Sequence, residues 1–546
     1  KDLLRRRFLF GGIVQGVGFR PFIYTLADKY HLTGWVRNTA AGVEIAVNGP
    51  EKNLDKFLND LRTNPPALAR IDQIRVRNDQ INSYTQFAII SSQDESGQFI
   101  PVSPDVSICS DCLKELFDPT NRRFRYPFIN CTNCGPRFSI IQKIPYDRPN
   151  TTMAAFNMCP DCQKEYDDPL DRRFHAQPVA CPQCGPQVWL ESDGQLLAKA
   201  ETAIQRARQL LAGGKIIALK GLGGFHLACD ARNDEAVKLI RQRKHRDEKP
   251  FAVMVFNLET AQKYCLLTQN EIETLISKEK PILLCQQREH SGLAPSVAPY
   301  LNTIGIMLPY TPLHYLLLEP SPGYPDVLVM TSGNHSEEPI AYTNEQARNQ
   351  LGSLTDAFLF HDRKIQTRLD DSVVHVIDGR LFPIRRSRGY APLPLVLSVE
   401  LPRILATGAE LKNTFCLTRG NYAFVSHHIG DLENLETISA YETAIKHYQD
   451  IFRIQPEMFA CDLHPDYFST RFAEQRAEQK SFPLVKVQHH HAHLAACLAE
   501  NSWFSDDPVL GVCLDGTGYG TDGAIWGGEF LLGSYNGFQR LYHFKY

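Results

Sequence analysis

The chain has 546 residues, 43% hydrophobic and 22% charged, and its 58 Lys and Arg against 61 Asp and Glu leave a formal charge of −3. That length exceeds what one core organises and predicts three or four domains. The charge balance excludes a global field for nucleic acid or anionic lipid, and no apolar run approaches the roughly 20 residues that cross a bilayer. The basic start precedes only a short apolar stretch at 8–14 with no small-residue cleavage site, so a cytoplasmic protein is expected. In that compartment fifteen cysteines argue against a disulfide framework.

Residues 6–92 predict a strand at 7–14, a helix at 21–32, strands at 34–38 and 43–48, a helix at 54–61 and a closing strand at 87–90. The order βαββαβ is that of a ferredoxin-like split unit. Between the first strand and helix stand Gln15, Gly16, Val17, Gly18, Phe19 and Arg20. The glycines free backbone N–H groups at a helix N-terminus, an anion cradle, although a tight strand-to-helix turn would use them equally well. Arg20 can grip a phosphoryl group with two N–H donors, and Asn38 can position a water. Gly16-x-Gly18-Phe19-Arg20 with Asn38 resembles the acylphosphatase family over the whole predicted domain, 1–92. The resemblance implies that the cradle and Arg20 bind an acyl phosphate, here carbamoyl phosphate, and that Asn38 orients the attacking water.

In the region 105–190, Cys109, Cys112, Cys131 and Cys134 recur as Cys159, Cys162, Cys181 and Cys184, each displaced by 50 residues. The flanks repeat as well: Asp118-Pro119 and Arg122-Arg123-Phe124 match Asp168-Pro169 and Arg172-Arg173-Phe174. Four thiolates per repeat predict two structural zinc ions that supply folding energy and leave no position open for substrate. Spacing alone leaves open whether each repeat closes its own site or pairs are shared, and whether the module is a rigid spacer or a nucleic-acid reader. The overall charge makes nucleic acid an unexpected partner.

Residues 199–390 read as α/β, with a helix at 203–211 and buried strands at 216–219, 251–256, 282–285 and 327–330. Lys244, Arg246 and Lys249 precede one strand, and Ser332 and Asn334 follow another; they suit a triphosphate, while a solvated helix end is the plainer reading of such cations. Lys244-x-Arg246, Lys249-Pro250-Phe251 and Ser332-x-Asn334 resemble the YrdC/Sua5 family, which implies ATP with Mg2+ and carbamoyl adenylate bound by Lys244, Arg246, Lys249, Ser332 and Asn334. His226 reads as a structural histidine, since no partner is visible in the sequence.

Residues 400–546 predict a strand, turn and return strand over 404–413, and a strand at 509–514 leading into Asp515, Gly516, Thr517 and Gly518, whose glycines allow close phosphate approach. His489 and His493, at i and i+4, share a helix face, and with Asp515 they can hold a divalent ion; His490 and His491 are weaker candidates. The region resembles the Kae1-like carbamoyltransferases, an actin-like fold of which only the first part is expected here.

The order acylphosphatase-like, duplicated zinc module, YrdC-like, Kae1-like resembles the HypF family of hydrogenase-maturation carbamoyltransferases and predicts a multidomain α/β and α+β enzyme. The resemblance implies carbamoyl-phosphate hydrolysis, ATP-dependent carbamoyl adenylate formation and transfer to the C-terminal cysteine of HypE. Because carbamate decomposes in water, an enclosed path between the first two sites is expected. A tRNA threonylcarbamoylation factor would share the last two domains but not the first. A zinc-dependent binding scaffold would have no reason to keep Arg20, Asn38 and Lys244.

Overall fold

The computed structural model describes residues 3–66, 68–78, 84–92, 99, 101–336 and 338–545. The chain divides into two compact units, Lys1–Ala391 and Pro392–Tyr546. No helix among the described residues is long and apolar enough to cross a membrane.

The first unit begins with β1 (Leu3–Ile13), α1 (Phe19–Lys29), β2 (Thr33–Thr39), β3 (Gly42–Pro50), α2 (Glu51–Thr63), β4 (Arg70–Asn78) and β5 (Phe87–Ile89). The strands form one sheet in the order β4-β1-β3-β2-β5. Phe8 and Phe10 alternate inward from β1 to meet Phe19 and Ile23 of α1 and Leu54, Phe57 and Leu61 of α2, all buried. The spacing of the last three places them on one helix stripe. The βαββαβ frame closes with β4, and the stretch predicted to close it forms β5 instead, parallel to β2 at the other edge. A bulge in β4, where Asp72 is the extra residue opposite Gly11/Gly12 of β1, explains why β4 escapes a two-residue pattern search. Gly12 has φ +119°, and a Cβ there would lie 2.3 Å from the Arg70 carbonyl oxygen. The register slips, and the apolar positions Ile71, Ile74 and Val76 no longer alternate.

The stretches predicted as buried strands in the middle region all fall in one twelve-stranded mixed sheet. Phe225–Asp230 lies between Ile217–Lys220 and Val327–Ser332, and Ala252–Val255 flanks the latter. The hairpin Val188–Ser192 and Gln195–Lys199 extends the sheet beyond Ala357–His361, with Gln195–Lys199 at the edge, so the second cysteine repeat runs straight into this sheet. The cysteine region has little regular structure beyond the short helices Ser110–Leu116 and Pro160–Asp167. Its first repeat shares a core with the sheet: Leu116, Tyr126, Phe128 and Ile129 pack in one cluster with Leu190, Ile204, Leu219 and Leu316.

In the second unit the strands Leu395–Leu401, Cys416–Val425, Ile404–Ala406, Met458–Asp462 and Leu484–Val487 lie side by side in that order. The return strand starts at Cys416 rather than near 409. The intervening loop is held by the Asn413 amide, which donates to the carbonyls of Thr407 (3.0 Å) and Ala409 (2.6 Å). The strand predicted to stop at 514 continues as Val509–Tyr519, with its register broken between Leu514 and Gly518.

Candidate functional sites

Each cysteine repeat closes its own four-thiolate group. In the first, Cys109–Cys131, Cys131–Cys134 and Cys134–Cys112 sulfurs are 3.7, 3.9 and 3.6 Å apart; in the second, the equivalent separations are 3.7, 3.7 and 3.6 Å. Sulfurs about 2.3 Å from a tetrahedral zinc lie about 3.8 Å from one another, so both groups fit that ion. Cys109 and Cys159 stand at helix N-termini with Cys112 and Cys162 in the first turns, where backbone N–H groups favour thiolate.

The outer contacts cross between repeats. Arg122 and Arg123 of the first donate to Cys162 Sγ of the second, at 3.2 and 3.4 Å, and both bind Glu165. Reciprocally, Arg172 donates to Cys112 Sγ at 3.2 Å, and Arg172 and Arg173 bind Glu115. Burial disfavours the Glu165 charge, but the Arg123 and Arg122 guanidiniums outweigh it and hold the carboxyl down at about 2.

At the anion cradle, Gly16 and Gly18 take φ +71° and +74°. The side chains of Val17 and Phe19 belong to the core, which leaves only their backbone to the loop. Gln15 Nε2 donates to the carbonyls of Thr39 (2.7 Å) and Gly42 (2.9 Å), anchoring the loop to the β2–β3 hairpin. Asn38 is 1% exposed, and neither of its amide atoms has a partner among the described residues. A buried amide left unpaired is costly and marks a place for a polar ligand. Asn38, Arg20 and the cradle line one cleft, whose opposite wall is Thr132, Arg137, Tyr146, His175 and Gln177 of the cysteine module. The sequence reading missed this wall, because cysteine spacing says nothing about which surface the module covers. Arg20 pairs with Asp147 at 3.1 Å. Burial and the nearby Arg20 charge push His175 down to about 3, so it faces the cleft neutral.

In the middle region Lys244 Nζ donates to the Ser332 carbonyl (2.7 Å), the Asn334 carbonyl (2.6 Å) and Asn334 Oδ1 (2.9 Å). Ser332 Oγ donates to the same Oδ1 at 2.7 Å. Lys244, Ser332 and Asn334 therefore meet, the ammonium tying a helix end to the loop after a central strand. Arg246 reaches Thr331 Oγ1 (3.4 Å) and the carbonyls of Lys249 (3.0 Å) and Pro250 (2.6 Å), so Lys249 joins through its backbone. His226, which showed no partner in the sequence, bonds Asp371 at 2.7 Å, and Asp371 also accepts from Arg388 Nε at 2.6 Å. Burial opposes the Asp371 charge; Arg388 and His226 reverse that and hold the carboxyl far below its usual range.

In the second unit one nitrogen each of His489 and His493 and one Asp515 oxygen lie within 4.8 Å of one another, a spacing one divalent ion can bridge. Asp462, absent from the sequence reading, binds His489 Nδ1 at 2.6 Å and leaves Nε2 facing Asp515 at 2.9 Å. A carboxylate behind a histidine fixes the ring's tautomer and aim. His490 and His491 bond the carbonyls of Gly527 and Ser534 instead. A Cβ on Gly518 would lie 2.5 Å from the His490 ring, so this glycine lets the strand pass the histidine helix. Gly516 and Thr517 fall at the register break beside Asp515.

Comparison with known proteins matches these regions in order. The acylphosphatase family matches 6–89, the HypF finger 108–141 and 158–191, the Sua5/YciO/YrdC family, described as telomere recombination, 209–387, and the HypF Kae1-like domain 400–500. The second subdomain of the Kae1-like carbamoyltransferase domain matches 511–546. Carbamoyltransferase HypF2 of Cupriavidus necator is 48% identical over 99% of this chain and 69% of its own length. The chain belongs to the HypF carbamoyltransferase family. HypF of Synechocystis is 47% identical over 98% of the chain and 69% of its own length. A crystal structure of full-length HypF in a phosphate- and nucleotide-bound form superposes with a TM-score of 0.95 at 48% identity, covering 100% of this chain and 70% of that one. HypF of T. kodakarensis gives 0.93 at 43% identity, covering 100% and 69%. The chain is thus an enzyme of the carbamoyltransferase class, with acylphosphatase-like, zinc-finger, YrdC-like and Kae1-like domains.

Two outcomes follow. Glu165→Ala leaves Arg123 buried without its carboxylate and lowers module stability by roughly 3 kcal/mol at pH 7, read as earlier melting and faster zinc release to a chelator. Because the folded pKa is depressed, this contribution is present above the ordinary glutamate value of 4.5 and disappears as pH falls towards 2. Asp462→Asn weakens Mn2+ binding at the His489 site by on the order of 10- to 100-fold in calorimetric titration.

Proposed function

We propose that the chain hydrolyses carbamoyl phosphate in its N-terminal domain, couples the released carbamate to ATP in the region 199–390, and passes the carbamoyl group on at the His489 site. The unpaired, buried amide of Asn38 beside Arg20 carries this reading. An acyl phosphate in the cleft places its phosphoryl oxygens against the cradle N–H groups and Arg20. Water oriented by Asn38 attacks phosphorus, the bond to the carbamoyl oxygen breaks, and carbamate leaves as an anion.

Carbamate oxygen then attacks the α-phosphorus of ATP and expels pyrophosphate, giving carbamoyl adenylate. Lys244, Arg246, Lys249, Ser332 and Asn334 are assigned to this site. Mg2+, when bound, neutralises the triphosphate. An enclosed route between the two sites is supported by the wall that the cysteine module forms over the anion loop.

At the last site a thiolate, assigned to the C-terminal cysteine of HypE on the route to the cyanide ligands of hydrogenase iron, attacks the carbamoyl carbon and releases AMP. A divalent ion held by His489, His493 and Asp515 would offset phosphate charge there, with Gly516, Thr517 and Gly518 beside it.

The test is carbamoyl-phosphate-dependent formation of AMP and pyrophosphate by the chain with ATP and Mg2+, without acceptor. The parent produces both, and Arg20→Ala reduces them by at least about 100-fold. A folded, zinc-loaded parent that produces neither overturns the relay.

A further inference from the structure

Taking the N-terminal domain as an acyl-phosphate hydrolase, as proposed above, we propose that Arg137 and Asp147 of the cysteine module are positioning residues of its phosphate site. The site is then a composite that exists only with the first cysteine repeat assembled.

Arg137 is 2% exposed although it carries a permanent charge. It donates to the carbonyls of Cys134, Gly135 (2.7 Å) and Thr132 (2.8 Å), gripping the turn that presents Cys131 and Cys134. Its Nε donates to the Gly16 carbonyl at 2.9 Å. Across a planar trans peptide the C=O of one residue and the N–H of the next point in opposite directions. Fixing the Gly16 carbonyl therefore fixes the direction of the Val17 N–H, one of the donors of the cradle. One guanidinium thus ties the geometry of a thiolate turn to the geometry of an anion loop. Lysine, a single ammonium with no fork, cannot serve four such acceptors.

The segment 145–147 clasps the same loop from a second direction. The Tyr146 N–H donates to Gln15 Oε1 at 3.2 Å, and the Tyr146 ring lies 3.1 Å from where a Cβ on Gly16 would be. Asp147 takes an N–H of Arg20 at 3.1 Å, with the Arg20 side chain 9% exposed and that of Asp147 23%. A carboxylate on one N–H limits the rotation of a long side chain and aims its other donors, the pre-organisation that transition-state binding requires. It also draws on the positive charge that would otherwise meet the phosphate. Removing it therefore weakens catalysis without weakening ground-state binding, a combination that general loss of structure does not produce.

The experiment uses the zinc-loaded 546-residue chain, Arg137→Lys and Asp147→Asn, with zinc content, melting temperature, steady-state carbamoyl-phosphate hydrolysis and calorimetric binding of inorganic phosphate. Asp147→Asn is expected to lower kcat by on the order of 10- to 100-fold with KM unchanged or lower, at parental zinc content and melting temperature. Arg137→Lys is expected to weaken phosphate binding by at least about tenfold while both zinc ions stay bound. An unchanged or raised kcat in Asp147→Asn would show the carboxylate to be idle or a plug, and unchanged phosphate affinity in Arg137→Lys would show the cradle to be self-sufficient; either overturns the assignment. Losses that follow zinc release or melting overturn it too, since the residues would then be only structural. If the parent hydrolyses no carbamoyl phosphate, the hydrolase reading fails, and the coupling is still decided by phosphate binding to the parent and Arg137→Lys.

Discussion

The rest of the first unit depends on how the like charges of two four-thiolate zinc sites are offset inside a small module. Four thiolates around one divalent zinc leave two negative charges at each centre, and burying such charge without partners is prohibitive. The chain meets this by exchange: Arg122 and Arg123 reach the second centre and Arg172 the first, while Arg173 pairs with Glu115 of the first repeat. Each repeat therefore presents unmatched anions and cations until the other is folded against it. The two repeats are thus tied to each other rather than standing as independent knuckles. One surface of the joined module shares a core with the middle sheet while another walls the cleft above the anion loop.

Duplication supplied the symmetry, and divergence gave the halves different work. Arg125 and His175, fifty residues apart, both take left-handed backbone, at φ +56° and +54°. Arg125 pairs with Glu201 and Glu319 and so fastens the first repeat to the middle domain. His175 lines the cleft near Arg20. Phe124 is 39% exposed whereas its counterpart Phe174 is 4% exposed and packs edge-on to Tyr24 of the N-terminal domain. The same fold position thus serves as an anchor in one repeat and as part of a binding cleft in the other.

Features written in local spacing were legible in the sequence: the cysteine repeat, the glycine loop before a helix, the histidines one turn apart. What escaped were contacts between elements far apart in the chain. Asp147 is 127 residues from Arg20 and Asp371 is 145 from His226. Asp462 lies only 27 residues from His489, yet it ends a strand while His489 starts a helix, and no periodicity connects them. The arginine pairs were visible as repeated text, but their crossing was not, since a repeat shows which residues are equivalent and not whose ligands they serve. The β4 strand was hidden because its alternation is broken by its own bulge at Asp72, opposite Gly11/Gly12 of β1.

The wall of the cleft also sets an order in time. The glycine loop and Arg20 leave the ribosome before His175 and Gln177, which follow more than 150 residues later, on the order of ten seconds at ordinary rates of synthesis. Through that interval the nascent N-terminal domain exposes a half-built anion pocket with nothing opposite it. A labile acyl phosphate that met the loop then would release its carbamate to bulk water. Placing the wall in the repeats that must fold together makes completion of the pocket a late, all-or-none event, tied to metal supply rather than to the folding of the domain that carries Arg20.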